Sequence, residues 1–171
     1  MRRMNAYEYT VPMFVQHLRN IGHWLDKAVA QAETKKFDPE ILMHARLAPD
    51  QWHFIRQVTA ACDSAKWVVA KLAGKQAPSH PDTETTIAEL RVRLKTVIDY
   101  LESFDAKDFA DADGRLCQHA WMQGKSLRGV NYLREFGWPN FFFHVTTAYA
   151  ILRHNGVDLG KNDYLGPLSL E

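Results

Sequence analysis

The chain has 171 residues, of which 46% are hydrophobic and 24% are charged. These values are ordinary for a folded chain and exclude an intrinsically disordered one, so we predict a single domain over residues 1–171. The formal net charge of +1 provides no overall attraction for nucleic acid or anionic lipid. No apolar run of membrane-spanning length and no signal peptide is visible, which predicts a cytoplasmic protein without membrane contact.

The amino terminus contains two methionines at which the protein could start. Arg2 and Arg3 form a short basic run just before Met4, so either Met1 or Met4 is compatible with the true start. We expect the first few residues to form a loose end, as chain termini commonly do.

Four segments show the spacing of amphipathic helices. The predicted ranges are about Pro12 to Gln31, Pro49 to Gly74, Thr86 to Phe104 and Pro139 to Asn155. In the first three, apolar residues recur at alternating steps of three and four, which places them on one face. These stripes are Phe14, Leu18, Ile21, Leu25 and Ala28; Ile55, Val58, Cys62, Ala65, Val69 and Leu72; and Ile87, Leu90, Leu94, Val97, Leu101 and Phe104.

Capping residues support these boundaries. Gly74 is placed to end the second helix, and Thr86 with Glu89 reads as a capping box that opens the third. Four helices of this length with seam-like stripes predict an all-α fold, a four-helix bundle.

The helical period is lost between the third and fourth helices. Leu116 to Trp121 and Ser126 to Val130 flank a short polar turn, which predicts a small β-hairpin. The segment after Gly156 has glycines and a proline but no period, so we expect an extended arm or a partly loose tail.

Cys62 and Cys117 are the two cysteines, and no zinc-knuckle spacing is present. Cys62 falls on the apolar stripe of helix two, which favours a buried, reduced thiol. A disulfide between the two cysteines stays open from the sequence.

One face of the fourth helix departs from the pattern of bundle core. Asn140, His144 and Thr147 lie on one stripe, where a bundle normally packs aliphatic side chains. Polar groups taken out of water need partners, so this stripe requires an explanation. One hypothesis is an interior site facing helix two, with Gln57 and Asp63 opposite and His144 as ligand or general base.

A structural interpretation is also open for each of these residues. His144 is also compatible with a core histidine that hydrogen-bonds to a carbonyl or to Gln57, which is the commoner role of such a residue. Asp63 and Lys66, three apart on helix two, are compatible with a solvated or half-buried ion pair.

Three stretches of the sequence resemble a known family. PNFFFHVTTAYAILRHNGVDLGKNDYLG, from Pro139 to Gly166, looks like the end of an uncharacterised family of bacterial and fungal proteins. ARLAPDQ, from Ala45 to Gln51, and CDSAKWVVAKLAG, from Cys62 to Gly74, resemble its second helix region. The family is called domain of unknown function nineteen-ninety-three, and it is similar to the DinB-like, or YfiT-like, superfamily of metalloenzymes.

The resemblance implies a DinB-like bundle with up-down-down-up topology that is often dimeric. In the superfamily, one histidine of helix two and an HxxxH pair on helix four hold a divalent metal, zinc or nickel. Matching the end of helix four places the second histidine of the pair on His144 and the first on Asn140. The helix-two histidine falls near Gln57 or Ala60, so at most one of the three imidazoles is kept.

Carboxamides are poor ligands for zinc or nickel, so the resemblance implies a degraded metal site. Our leading hypothesis is a bundle that binds a small polar ligand between helices two and four. The residues expected to line the pocket are Gln57, Asp63, Asn140, His144, Thr147 and Tyr149, with His144 as the one metal ligand if any metal binds.

Two alternatives come from other classes of protein. The first is a metal-dependent thiol transferase or hydrolase like other members of the superfamily. The second is a non-enzymatic homodimer, because Phe141, Phe142 and Phe143 together cover much of the circumference of helix four. An aromatic ring facing outward there would support an interface with a partner helix.

Overall fold

Four long helices form the frame of residues 5–170, the part of the chain that the computed structural model describes. The expected loose amino terminus and the choice between Met1 and Met4 lie outside the described residues. The long helices are α1 (Val11–Lys35), α2 (Phe54–Ala73), α3 (Ile87–Glu102) and α4 (Trp138–His154), and a short helix α5 (Lys161–Leu165) follows. A helical turn at Gly129–Asn131 and a π-helical segment at Tyr132–Gly137 lead into α4, and 3₁₀ turns lie at Pro39–His44, Ala106–Phe109 and Ala120–Met122.

The three predicted apolar stripes form the core of the bundle. Every residue of the stripes of α1, α2 and α3 is buried, and the stripes continue into one cluster with Phe141, Val145 and Leu152 of α4. The helical period alone was therefore sufficient to identify the buried faces. Within residues 5–170, none of the helices has the length and hydropathy needed to cross a membrane.

The predicted caps of α2 and α3 are confirmed. Gly74 adopts a left-handed conformation with φ of 69° directly after α2, which glycine does without the steric cost of a Cβ atom. The Thr86 hydroxyl accepts a hydrogen bond from the Glu89 backbone N–H, and the Glu89 carboxylate accepts one from the Thr86 N–H. Helix α2 begins at Phe54, a turn later than predicted, because the chain forms a turn closed by the hydrogen bond from the Gln51 N–H to the Ala48 carbonyl and His53 is extended.

Helices α1 and α4 run in the same direction. The rings of Phe14 and Phe141, near the two helix starts, have centroids 4.5 Å apart. Further along both helices, Trp24 and Tyr149 are in edge contact with centroids 5.6 Å apart.

Helices α2 and α3 are parallel because the segment between them, residues 75–86, returns along the bundle. Its beginning lies near the ends of both helices, where the Tyr100 hydroxyl donates to the Gln76 carbonyl. Its end lies near the start of α2, where Arg56 forms an ion pair of 2.7 Å with Asp82. A return of this length is a crossover rather than a simple helical hairpin.

Helix α3 runs opposite to α1. Asp26 pairs with Arg91 at the start of α3, and Arg19 pairs with Glu102 at its end. With α1 and α4 parallel, and α2 and α3 parallel, the order is up-down-down-up. The all-α bundle and the topology implied by the resemblance are both confirmed.

The predicted hairpin is present between α3 and α4 but is small. Strands β1 (Leu116–Cys117) and β2 (Leu127–Arg128) pair antiparallel, with Leu116 opposite Arg128. The 3₁₀ turn Ala120–Met122 occupies part of the connection, so each strand is only two residues long.

The carboxyl-terminal segment packs against the bundle, but as a short helix rather than as the extended arm or partly loose tail that was expected. Its helix α5 packs on α1, where the Trp24 indole N–H donates to the Asp163 carbonyl and the Asn20 amide donates to the Tyr164 carbonyl, both at 2.9 Å. A helix of five residues is too short to show a period in the sequence, which explains why the pattern did not reveal it.

Both cysteines are free and buried, which settles the question of a disulfide. Burial raises the pKa of the Cys62 thiol to about 12 and that of Cys117 to about 11. Neither thiol therefore forms a thiolate at neutral pH, and neither has the environment of a reactive cysteine.

Candidate functional site

A hydrogen bond between His144 and Gln57 joins α4 to α2. We call the place where these two residues meet Trp52, Asn140 and Phe143 the groove between α2 and α4. Nδ1 of His144 lies 2.8 Å from Oε1 of Gln57, and the Gln57 amide nitrogen donates to the Trp52 carbonyl at 3.2 Å. The Gln57 NH₂ group donates to that carbonyl, so the Gln57 atom that faces His144 is the oxygen Oε1, which can only accept. Nδ1 of His144 must therefore carry the proton. The Nε2 atom of the neutral ring is therefore left with a lone pair.

His144 is held in its neutral form. The residue is only 8% exposed, and burial lowers the pKa of its imidazole from 6.5 to about 4, with a smaller contribution from the positive charge of Arg56. Desolvation disfavours the charged form of a base, so the ring is a hydrogen-bond acceptor at Nε2 at neutral pH.

Two exposed aromatic rings contact the His144 imidazole. Trp52 stacks on it with centroids 5.8 Å apart and planes inclined by 9°, and Phe143 meets it edge-on at 5.3 Å. Trp52 is 47% exposed and Phe143 is 55% exposed. The Arg56 guanidinium lies 4.8 Å from the centre of the Trp52 ring, within the range of a cation–π interaction. Sequence reasoning missed Trp52: the sequence placed it in the first turn of the second helix, whereas the structure places it before α2, beside His144.

Asn140 and Thr147 are partnered differently. The Asn140 amide donates to the Ser64 hydroxyl at 3.0 Å, across the interface between α4 and α2. The Thr147 hydroxyl donates to the Phe143 carbonyl of its own helix at 2.7 Å. Asn140 and His144 thus face α2 together, whereas the Thr147 hydroxyl is satisfied locally.

Tyr149 and Asp63 do not join this groove. The Tyr149 hydroxyl donates to the Leu159 carbonyl, and its ring packs against Trp24 on the α1 side. Tyr149 follows His144 by five residues, and each residue turns the helix by about 100°, so the two side chains lie on different faces of α4. Asp63 faces α3, where it forms an ion pair with Arg93.

The groove has a donor set that does not suit zinc or nickel. It offers one imidazole with two carboxamides, and the Gln57 oxygen already accepts the His144 proton. Among the described residues, no three His, Cys, Asp or Glu side chains come together as a metal site. Tetrahedral sites for these metals are built from several imidazole, thiolate and carboxylate ligands, of which the groove supplies only the one imidazole.

A second polar constellation, centred on Arg93, lies on the α3 side of α2. Arg93 Nη2 lies 2.6 Å from Asp63 and 2.9 Å from Asp82, and Nη1 lies 3.0 Å from Glu84. Lys66 adds a contact of 2.6 Å to Asp63. The side chains of Arg93 and Lys66 are only 2% exposed. We call these five residues the buried ion network.

The buried ion network ties the crossover segment to the helices. Lys66 donates a hydrogen bond of 2.6 Å to Nδ1 of His80, so the neutral His80 ring carries its proton on Nε2. The pKa of His80 is lowered, first by burial and then by the charges of Arg93 and Lys66. The sequence indicated only the pair Asp63 and Lys66, because the other partners are distant along the chain.

The bundle topology and the polar groove between α2 and α4 define a helical bundle of the DinB type. A solved structure described as a DinB family member protein from Shewanella denitrificans is similar over 96% of this chain and 94% of that one, with 49% identity and a TM-score of 0.93.

The chain belongs to the family described as Domain of unknown function (DUF1993), whose model matches residues 6–165. No curated protein matches the chain.

We predict that Asp63→Asn lowers the free energy of unfolding by about 3 kcal/mol, because it leaves two buried cations short of one anion. The matched control is Asp99→Asn, which breaks the exposed pair of Asp99 with Lys95 and should have little effect. Urea unfolding of both variants measures the difference. An equal loss in the free energy of unfolding for Asp63→Asn and Asp99→Asn would contradict a stabilising role for the buried ion network.

We also predict that His144 reduces stability in acid. Between pH 6.5 and about 4, His144 is protonated in the unfolded chain but neutral in the folded chain. The free energy of unfolding therefore falls as the pH falls through this window. His144→Gln should make that decline shallower, as measured by urea unfolding across the pH range. An NMR titration of the His144 ring should have its midpoint near 4, and a midpoint near 6.5 would disprove the prediction.

Proposed function

We propose that this protein binds a small polar ligand in the groove between α2 and α4, through Nε2 of His144. The observation that carries the proposal is the state of the imidazole. Gln57 holds Nδ1, while Nε2 has no hydrogen-bond partner among the described residues. A neutral, oriented imidazole acceptor at the edge of a groove is suited to receive an O–H or N–H donor.

The surroundings favour a neutral ligand with a flat apolar part. A neutral His144 supplies no charge for an anion, and the guanidinium of Arg56 is paired with Asp82. The exposed rings of Trp52 and Phe143 beside the imidazole provide apolar surface for stacking. Aromatic contacts of this kind add affinity, and the hydrogen bond adds orientation.

Phenol and anisole form a matched pair of probes for this proposal, because anisole lacks the hydroxyl donor. We expect phenol to shift the ¹⁵N resonance of His144 Nε2 in a saturable manner, and anisole to shift it less and only at higher concentration. Loss of one hydrogen bond of about 1 kcal/mol should make anisole roughly fivefold weaker.

Two variants of α4 serve as test and control for the phenol experiment. Binding to the variants is followed by the Trp52 indole N–H resonance, because His144→Phe removes the His144 signal. This variant keeps a ring but removes the acceptor and should abolish the preference for phenol over anisole. His154→Phe changes an exposed histidine of the same helix and should preserve it. Equal binding of the two probes to the unmodified protein would refute the proposal.

The metal-dependent thiol transferase or hydrolase is tested on the same protein. Thermal unfolding is measured with zinc, with nickel and with a chelator. We expect no metal-dependent change, because the groove offers one imidazole and two carboxamides. A tightly bound metal at a hundredfold excess over its Kd would add about 2.7 kcal/mol of stability, and such a gain would favour the metalloenzyme instead.

The exposure of Phe143 supports a second candidate function, in which the chain acts as a non-enzymatic homodimer. Of the three consecutive phenylalanines of α4, Phe143 points outward and Phe141 is buried. Exposed Trp52, beside the same imidazole as Phe143, extends the apolar surface. Aromatic residues are enriched at protein interfaces, which makes this face the proposed contact.

Sedimentation at increasing protein concentration tests the homodimer. We expect a dimer that Phe143→Ser weakens at least tenfold, since buried aromatic anchors contribute more than about 1.4 kcal/mol. Val92→Ser, an exposed apolar position of α3, is the control and should leave association unchanged. A chain that stays monomeric at high concentration would exclude this function.

A further inference from the structure

A cavity of about 530 Å³ lies beside the last turns of α2 and the first residues of the crossover segment. Its wall includes Trp67, Ala70, Lys71, Gly74 and Lys75. None of them belongs to the groove between α2 and α4 or to the buried ion network. The volume falls within the range of about 300–1,000 Å³ that small-molecule sites occupy.

The ring of Trp67 gives the cavity a flat apolar surface. Trp67 is 39% exposed, and its ring meets that of His119 at a steep angle, with centroids 5.9 Å apart. His119 is itself held by a hydrogen bond of 2.8 Å between its Nε2 and the hydroxyl of buried Tyr132. The ammonium of Lys66, from the buried ion network, lies 5.8 Å from the centre of the Trp67 ring. A tryptophan that is fixed on one side and exposed on another is suited to stack with an aromatic ligand.

The charged residues of the cavity wall are both lysines. Lys75 forms an ion pair of 2.6 Å with Asp108, whereas the Lys71 ammonium makes no hydrogen bond or ion pair with any described residue. Burial lowers the pKa of His119 to about 4, and the positive charge of Lys71 adds to this effect without an opposing carboxylate. The ammonium of Lys71 is therefore the uncompensated charge of the wall.

Arg115 adds a further positive charge at this end of α2. Its guanidinium packs against the backbone of Gly74, where a Cβ atom would overlap it. Arg115 does not line the cavity but lines a separate depression together with Asp111, which supplies a negative charge there. The surroundings of the cavity thus keep an excess of one positive charge, that of Lys71, and this excess favours an anion over a neutral molecule or a cation.

We propose that this cavity binds a small aromatic monocarboxylate, with its ring against Trp67 and its carboxylate on the ammonium of Lys71. The two residues are four apart on α2, which places their Cβ atoms about 5–6 Å apart on one face. A carboxylate that is one or two bonds removed from an aromatic ring spans this separation. The site is separate from the His144 groove and does not rest on the function proposed for that groove.

Phenylacetate and phenylacetamide are the probes, because they have the same shape and differ in charge. The readout is the backbone N–H resonance of Gly74 in ¹⁵N-labelled protein, since Gly74 lines the cavity and is kept in every variant. We expect phenylacetate to move it saturably and phenylacetamide to bind roughly threefold more weakly. Equal affinities, or no saturable shift with either probe, would overturn the proposal.

The same titration at increasing salt concentration tests the charge pairing. The advantage of phenylacetate should shrink, because salt screens a partly exposed pair of charges. Phenylacetamide carries no charge, so its affinity should stay constant. An advantage of phenylacetate that salt does not reduce would contradict the role of Lys71.

Two lysine variants test the charge at matched positions. Lys71 and Lys35 each lie in the last turn of a long helix, α2 and α1 respectively. Lys71→Gln should give the two probes equal affinity, because the uncompensated charge is removed. Lys35→Gln should retain the preference for phenylacetate, and a preference that survives in Lys71→Gln would contradict the assignment.

Two tryptophan variants test the stacking surface. Trp67 and Trp121 are both exposed in part and both contact His119, but only Trp67 lines the cavity. Trp67→Leu should weaken the binding of both probes, because the flat surface is lost. Trp121→Leu should leave both affinities unchanged, and equal weakening by the two variants would place the ligand outside the cavity and refute the proposal.

Discussion

The guanidinium of Arg93 is almost completely buried, and the carboxylates that balance its charge determine the path of the chain around it. Burial of an unpaired cation is very costly, so the carboxylates of Asp63, Asp82 and Glu84 must converge on it. Two of these three belong to the segment between α2 and α3. Because Asp82 also pairs with Arg56 near the start of α2, the end of that segment lies there, and α3 begins beside the start of α2 and runs parallel to it.

The same ion network is connected by direct contacts to the groove on the other side of α2. Asp82 binds both Arg93 and Arg56, and the Arg56 guanidinium lies over the ring of Trp52. Trp52 stacks on His144, whose pKa Arg56 also helps to lower. The segment that compensates Arg93 therefore also positions the residues around the imidazole acceptor, although the two places differ in their chemistry.

Sequence periodicity predicted one part of the groove and not the rest. Gln57, Asn140 and His144 were found because a stripe on α4 and its counterpart on α2 can be identified from helical spacing. The positions of Asp63 and Tyr149 depend on which neighbouring helix each face meets, and spacing within one helix does not contain that information. Trp52 was missed because the sequence placed it in the first turn of the second helix, and its contact with His144 depends on how the chain before α2 packs on α4.

The amino-acid sequence by itself determined the four helices, their caps and their buried stripes, since these depend on residues within a few turns of one another. The tertiary structure alone decided the partners of the polar side chains. The contact of Arg93 with Asp82 and Glu84 depends on the course of a crossover segment, and the tautomer of His144 depends on Gln57, 87 residues earlier. Such pairings form when distant segments meet, because a polar group excluded from water takes the partner that packing brings to it.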